Sequence, residues 1–404
     1  MSKPLTKGEE RMQNKHNGMR AVLFTLALVL VFAAFAGCSA KLNDPVVGKV
    51  GNIDIRFQTY YRVYVNNMYM QSIYGTYDVS TDEAYRAFQD MVFDSIINSM
   101  LPIYVAKQAG VTLTAEEEAE VQESLQQEID SLYESYAGDV DASITDEDEK
   151  RAEEEKLLLA DLKANGLTYD KYIKSIEDSL RDEAIANKYI ESLLAEVTVT
   201  DDDVQAYYDE QLAYYQERYE EDPANYFDDY SSFLNGGSQP LVVPEGYNYY
   251  KHILVLDAEE GEDKDVDAIV AEIYAKIEAG EDFDALIEEY GEDPGMQNEP
   301  YKTEGYILSE ANASDYYEEF SAAALALENE GDITPEAVQS SKGKHIIKKC
   351  GPVEAKTVTL DEVKDTIREQ VETERKNDLY QEYLAQWKEE VKIVKYYDRV
   401  NGVK

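Results

Sequence analysis

Beyond its first 37 residues this 404-residue chain holds two histidines, His252 and His345, and two cysteines, Cys38 and Cys350. Imidazoles titrate near neutrality and thiolates are nucleophiles, so these side chains are the first to ask about chemistry. His252 lies in Tyr-Tyr-Lys-His-Ile-Leu-Val (249–255), where strand alternation puts it on one face with Tyr250 and Leu254. His345 lies in Gly-Lys-His-Ile-Ile (343–347), a second strand pattern. A lone histidine is usually a satisfied core or surface residue, and only the strand contexts give this pair more weight. A metal enzyme is the weakest reading, because two histidines and scattered carboxylates offer no short ligand spacing. Cys350 follows Ile346-Ile347 and reads as a small residue at a strand end, with nothing nearby to hold a thiolate. The dense charge of Asp146 to Lys156 lacks a spaced Asp-x-Asp-x-Asp-Gly calcium loop and reads as a solvated helix face or loop. No cofactor is expected.

The elements that must position the histidines fall into three blocks. The second block, Gly246 to Val353, contains both histidines and alternates strand and helix patterns. The first, from Lys41 to Arg218, is helical apart from Val46 to Ile55, where Gly51-Asn52 marks a small hairpin. Phe88, Met91, Val92, Ile96 and Ile97 keep helical spacing, and Thr114 with Glu117 makes a capping box. Between these blocks, residues 219–245 carry Asp222-Pro223, Asn235-Gly236-Gly237 and Pro240 and read as a linker, with Tyr226, Phe227, Tyr230 and Phe233 suited to pack on a neighbouring surface. The third block, from Leu360, is a long helix whose stripe of Val363, Ile367, Val371, Leu379, Leu384 and Trp387 needs a partner surface.

Between the histidines the landmarks run in a recognisable order: Gly280-Glu-Asp-Phe-Asp-Ala-Leu286, Tyr290-Gly-Glu-Asp293, Gly305-Tyr306, Phe320 to Leu327, Gly331-Asp-Ile333, and Val338 with Ser340. Over roughly these 100 residues the block resembles the parvulin family of peptidyl-prolyl isomerases. The resemblance implies a catalytic set of His252, Asp293, Ser340 and His345, acting as a polar network around the rotating carbonyl rather than by proton transfer. It also implies a proline pocket at Tyr316, Phe320 and Leu325, with Tyr316 standing where Met is usual and Leu325 where a second Phe is usual. Val46 to Phe57, Gly110-Val-Thr-Leu-Thr114, Gly166-Leu-Thr-Tyr169 and Val197 to Val204 resemble the chaperone domain of PrsA-like and SurA-like foldases, in which a C-terminal helix returns to complete the N-terminal domain. The expected fold is therefore α+β: a mostly helical, discontinuous chaperone domain (38–218 plus 354–404) with an inserted parvulin α/β domain (246–353).

The N-terminus reads as an export signal over residues 1–37. Lys3, Lys7, Arg11, Lys15 and Arg20 precede a 16-residue apolar run, Ala21 to Ala36, which is short for a spanning helix. Phe35-Ala-Gly-Cys38 resembles a lipobox, which implies lipid attachment at Cys38 and a place on the outer face of the cell membrane. A net charge of −46 repels phosphate, so nucleic acid is excluded as a partner. The loop Asp257 to Asp265 is acidic, which favours neutral or basic residues before proline. The expected partners are unfolded or partly folded exported proteins with X-Pro bonds. The rival reading is a non-catalytic holding chaperone whose degenerate parvulin domain only binds. A ligand-capturing lipoprotein lacks its two-lobed α/β repeats. Oligomeric state is not legible.

Overall fold

The computed structural model describes residues 44–74, 79–258 and 263–401. Strands β1 (Val46–Val50) and β2 (Ile53–Arg56) form an antiparallel hairpin around Gly51-Asn52. Gly51 has φ +58°, and a Cβ there would stand 2.2 Å from the Tyr104 ring, so both conformation and packing require glycine. Seven helices follow: α1 (Phe57–Tyr74), α2 (Asp82–Gln108), α3 (Ala115–Glu134), α4 (Glu147–Ala164), α5 (Tyr169–Leu194), α6 (Asp201–Glu221) and α7 (Asn225–Leu234). Thr114 and Glu117 form the reciprocal capping box that starts α3, and Thr200 with Asp203 does the same for α6. The charge-dense run from Asp146 is the opening of α4, with the Asp146 carboxylate accepting from the amides of Asp148 and Glu149.

The remaining order is β3 (Val242–Val243), β4 (Asn248–Leu256), α8 (Val266–Glu278), α9 (Phe283–Tyr290), β5 (Tyr306–Leu308), α10 (Glu318–Leu325), β6 (Val338–Gln339), β7 (Gly343–Pro352), β8 (Lys356–Thr357), α11 (Leu360–Glu390) and β9 (Ile393–Lys395). Packing divides the chain into two units, one made of residues up to Thr198 together with Glu372 onward, the other of Val199–Val371.

In the first unit the hairpin and β9 share one sheet of order β2-β1-β9. Its core joins Val47, Val50 and Ile55 to Phe88, Val92, Phe93 and Ile97 of α2 and to Leu384 and Trp387 of α11. A second cluster, Leu125, Leu158, Leu162, Tyr172 and Ile176, holds α3, α4 and α5 together. The C-terminal helix thus completes a discontinuous unit. The strand β9 that follows it adds a sheet edge that the sequence pattern did not reveal.

The second unit carries a four-stranded antiparallel sheet of order β5-β4-β7-β6. Alternation along β4 sends Ile253 and Val255 toward α8 and α9, where Phe283, Leu286 and Ile287 meet them. Tyr250, with Ile347 of β7, meets Phe320 and Ala324 of α10 and Leu327 just after it. A further core joins Tyr208, Tyr215 and Tyr219 of α6 and Tyr226 of α7 to Tyr247, Val353 and Val358, and to Val363, Ile367 and Val371 of α11. The stripe on α11 is therefore divided, its first three residues serving this unit and Leu384 and Trp387 the other. The sequence reading drew its boundary at 218, but the buried tyrosines of α6 pack within Val199–Val371. Within the stretch read as a linker, Asn225–Leu234 is helical, and its Tyr226, Phe227 and Tyr230 pack in that core.

Candidate functional site

β4 and β7 run side by side with Leu254 opposite His345 and His252 opposite Ile347, so the two imidazoles project from neighbouring strands on one face. Asp293 arrives after α9. The Glu292 amide donates to Leu254 O (2.9 Å) and its carboxylate accepts from the Leu256 amide (2.7 Å), which pins this segment along β4. Ser340 sits in the turn before β7, where its amide donates to Gly343 O (2.9 Å) and its hydroxyl oxygen accepts from the Lys342 amide (3.1 Å). Gly343 makes that turn possible, since a Cβ there would lie 2.2 Å from Val255 O.

These four side chains form one line of contacts. Ser340 Oγ lies 2.8 Å from His345 Nε2, His345 Nδ1 lies 3.0 Å from His252 Nδ1, and His252 Nε2 lies 2.7 Å from Asp293 Oδ2. Two further donors hold the carboxylate: the Gly295 amide on Oδ1 and the Tyr306 hydroxyl on Oδ2, both at 3.0 Å. Burial pushes the Asp293 carboxyl up, but the hydrogen bond and charge of His252, the Gly295 amide and the Tyr306 hydroxyl outweigh it and hold the group below the ordinary value. His345 is only 3% exposed. Burial first, and the neighbouring His252 second, lower its pKa to about 4.

With both imidazoles neutral, these contacts have one direction. An ionised carboxylate only accepts, so His252 Nε2 carries a proton, and in a neutral His252 the bare Nδ1 must accept. His345 then donates from Nδ1, and its bare Nε2 accepts from the Ser340 hydroxyl. The order resembles a nucleophilic relay, but Ser340 is buried, and an imidazole with a pKa of about 4 is too weak a base to take the hydroxyl proton. The arrangement is suited to presenting fixed dipoles, not to attack.

Phe320 covers this line, its ring 5.2 Å from that of His252 and 5.4 Å from that of His345, both edge-on. Tyr316 stacks on Phe320 at 5.8 Å, and its hydroxyl donates to Ile307 O (2.8 Å). Leu325 packs, partly buried, in the same cluster. The structure thus brings together His252, Asp293, Ser340 and His345, with Tyr316, Phe320 and Leu325 beside them. Cys38 lies outside the described residues. Cys350 is half-buried in β7, and burial raises its thiol pKa.

Sequence reasoning did not single out Tyr306 and Phe227 as site residues. Tyr306 was visible as the residue after Gly305, but nothing in its spacing tells that its hydroxyl reaches Asp293. Phe227, on α7, places its ring 5.9 Å from that of Tyr316, and its only sequence signal was the aromatic crowding of 226–233. Among the described residues no group of three or more His, Cys, Asp or Glu side chains could hold a metal ion, and no helix is long and apolar enough to cross a membrane.

Residues 252–350 match the rotamase family, described as the PPIC-type PPIASE domain. The chain is similar to the foldase protein PrsA of Clostridium botulinum strain Hall, with 28% identity over 256 residues, 63% of this chain and 61% of that protein. The foldase protein PrsA of Clostridium acetobutylicum is 25% identical over 332 residues, covering 81% of this chain and 80% of its own length. The match thus spans about three fifths of the first of these relatives. Among solved structures, a SurA-like chaperone of Campylobacter jejuni is 23% identical over 68% of this chain and 93% of its own, at a TM-score of 0.28. The peptidylprolyl isomerase PrsA of Bacillus anthracis is 21% identical over 72% of this chain and 96% of its own, at a TM-score of 0.20.

Proposed function

We propose that this chain, whose residues 252–350 form a parvulin-type rotamase domain and which is similar to PrsA foldases, is an extracytoplasmic foldase that isomerises X-Pro bonds in exported proteins and holds unfolded clients. The observation that carries the reading is the continuous line from Ser340 through His345 and His252 to Asp293, lying under the Phe320 ring. Rotation about an X-Pro bond breaks amide resonance against a barrier of about 18–20 kcal/mol and makes no new covalent bond, so no nucleophile or cofactor is needed. Phe320, with Tyr316 and Leu325, offers an apolar seat for the proline ring. The polar line beneath it sets the field around the rotating bond and favours the twisted amide, whose nitrogen regains its lone pair as conjugation is lost.

Two further features support the wider reading. On α1, Tyr61, Val65 and Tyr69 are spaced on one helix face and are 48%, 43% and 63% exposed, an apolar strip suited to an unfolded chain. The basic flank and apolar run ending in Gly37-Cys38 support export and a lipid anchor on Cys38 at the outer face of the membrane. The acidic residues after β4 favour neutral or basic residues before proline.

The test is an isomerisation assay of the full chain on Ala-Pro, Lys-Pro and Glu-Pro peptides, run beside an aggregation assay with an unfolded client. The first two peptides should be turned faster than the third, and His252→Ala, His345→Ala and Asp293→Ala should each lower the rate about tenfold or more. A folded chain that leaves every peptide at the buffer rate would end the isomerase reading and leave the holding chaperone.

A further inference from the structure

The Asp293 carboxylate has three donors, and one of them belongs to neither the strand pair nor the acidic segment. Tyr306, on β5, donates its hydroxyl to Oδ2 at 3.0 Å, the same oxygen that lies 2.7 Å from His252 Nε2. Its ring is fixed by Tyr301, 4.6 Å away between centroids. Gly295 leaves room for the hydroxyl, since a Cβ there would stand 1.8 Å from it. A phenylalanine would keep the ring contact and leave Oδ2 with one donor.

The line of side chains has two directions that differ by one proton. With both imidazoles neutral, hydrogen bonds run from Ser340 to His345 to His252 to Asp293. If His252 takes a second proton, its Nδ1–H donates to His345 Nδ1, the His345 proton moves to Nε2, and Ser340 must turn toward Gly343 O, 3.4 Å away. Which direction holds depends on how strongly the carboxylate draws charge onto His252. A carboxylate already satisfied by a second donor on the same oxygen draws less.

We propose that Tyr306 is a positioning residue of this site: by donating to Asp293 Oδ2 it holds the His252 and His345 tautomers in the direction that points the Ser340 hydroxyl at His345. The inference rests on the isomerase reading for its consequence but not for its geometry. The groups facing Asp293 are His252 from β4, Tyr306 from β5 and the Gly295 amide, with His345 one step beyond. Glu292 turns its carboxylate away, to the Leu256 amide and Lys264. Burial and the Asp293 charge raise the Tyr306 pKa, so the phenol remains a neutral donor.

The test uses the full chain labelled with 15N at histidine, which yields three imidazoles, one of them His16 in the N-terminal segment. At neutral pH the native protein should show His252 protonated on Nε2 and His345 on Nδ1. Tyr306→Phe should mix these tautomers, lower kcat/KM about tenfold, and move the acid limb of its pH profile upward, because a carboxylate with fewer donors takes a proton at higher pH. Tyr301→Phe, which removes a hydroxyl not bonded to Asp293, should leave the tautomers and the acid limb unchanged. If Tyr306→Phe leaves both as in the native protein, a fall in rate would be a packing effect and the proposal is overturned. If the tautomers respond while no form of the protein turns over a peptide, the positioning role stands and the isomerase reading falls instead.

Discussion

His345 is neutral at physiological pH because burial and the adjacent His252 disfavour its charged form, and this has a cost in acid. An unfolded histidine takes a proton near pH 6.5, whereas His345 in the native state does so only near 4. Between those values the unfolded state binds the extra proton, so native stability falls as pH drops through that window, by on the order of 2–3 kcal/mol. His345→Gln removes this contribution. Urea unfolding of native and variant chains at pH 7.5 and 4.5 should therefore show the native protein losing that much more stability on acidification, and parallel losses would contradict the assigned neutrality. At this scale the sequence was partly legible. His252 and His345 stood out because histidine is scarce and both lay in strand patterns, and family order pointed to Asp293 and Ser340. The tautomers, and the hydroxyl of Tyr306 that acts on them, depend on distances across three strands that no residue spacing encodes.

Among the elements, those governed by local rules were the most readable. The Thr114–Glu117 box, the Gly51-Asn52 turn and the strands around the histidines are each specified within a few residues, and each stands where its pattern put it. α7 was not readable, because its helix lies between Pro223 and Gly236-Gly237 and is held by tertiary contacts of Tyr226 and Phe227 rather than by propensity. Its position has a functional consequence. Tyr316 stacks on Phe320 and also meets Phe227, so α7 adds a wall to the apolar seat proposed for proline. Phe227→Ala should raise KM for an Ala-Pro peptide roughly threefold by removing contact made equally in ground and transition states, with kcat unchanged. Saturation kinetics would separate the two. A fall in kcat at constant KM would mean that α7 acts on the polar line instead.

On the scale of the whole molecule, the returning helix was legible as an apolar stripe in need of a partner, but one stripe cannot reveal that it serves two cores. Val363, Ile367 and Val371 lie with Tyr208 and Tyr215 in one unit, and Leu384 and Trp387 with Phe93 and Ile97 in the other. The division predicts where the chain can be cut. Arg375 donates to Thr198 O at 2.8 Å, so the two ends left by removing Val199–Val371 lie close together within the first unit, and a short Gly/Ser linker can join them at little entropic cost. That protein should fold, unfold cooperatively on heating, and still slow aggregation of an unfolded client without isomerising any peptide. Replacing only residues 246–353 should behave worse, because it strips Tyr247, Ile307 and Val353 from the core and uncovers Tyr208, Tyr215, Tyr219 and Tyr226. Each such side chain loses about 1.5–3 kcal/mol of burial, enough together to melt α6 and α7 and expose an aromatic surface. Thermal unfolding and light scattering of the two deletions side by side give the comparison. Equal stability would mean that α6 and α7 do not depend on the sheet domain, and the boundary would have to be redrawn near residue 245.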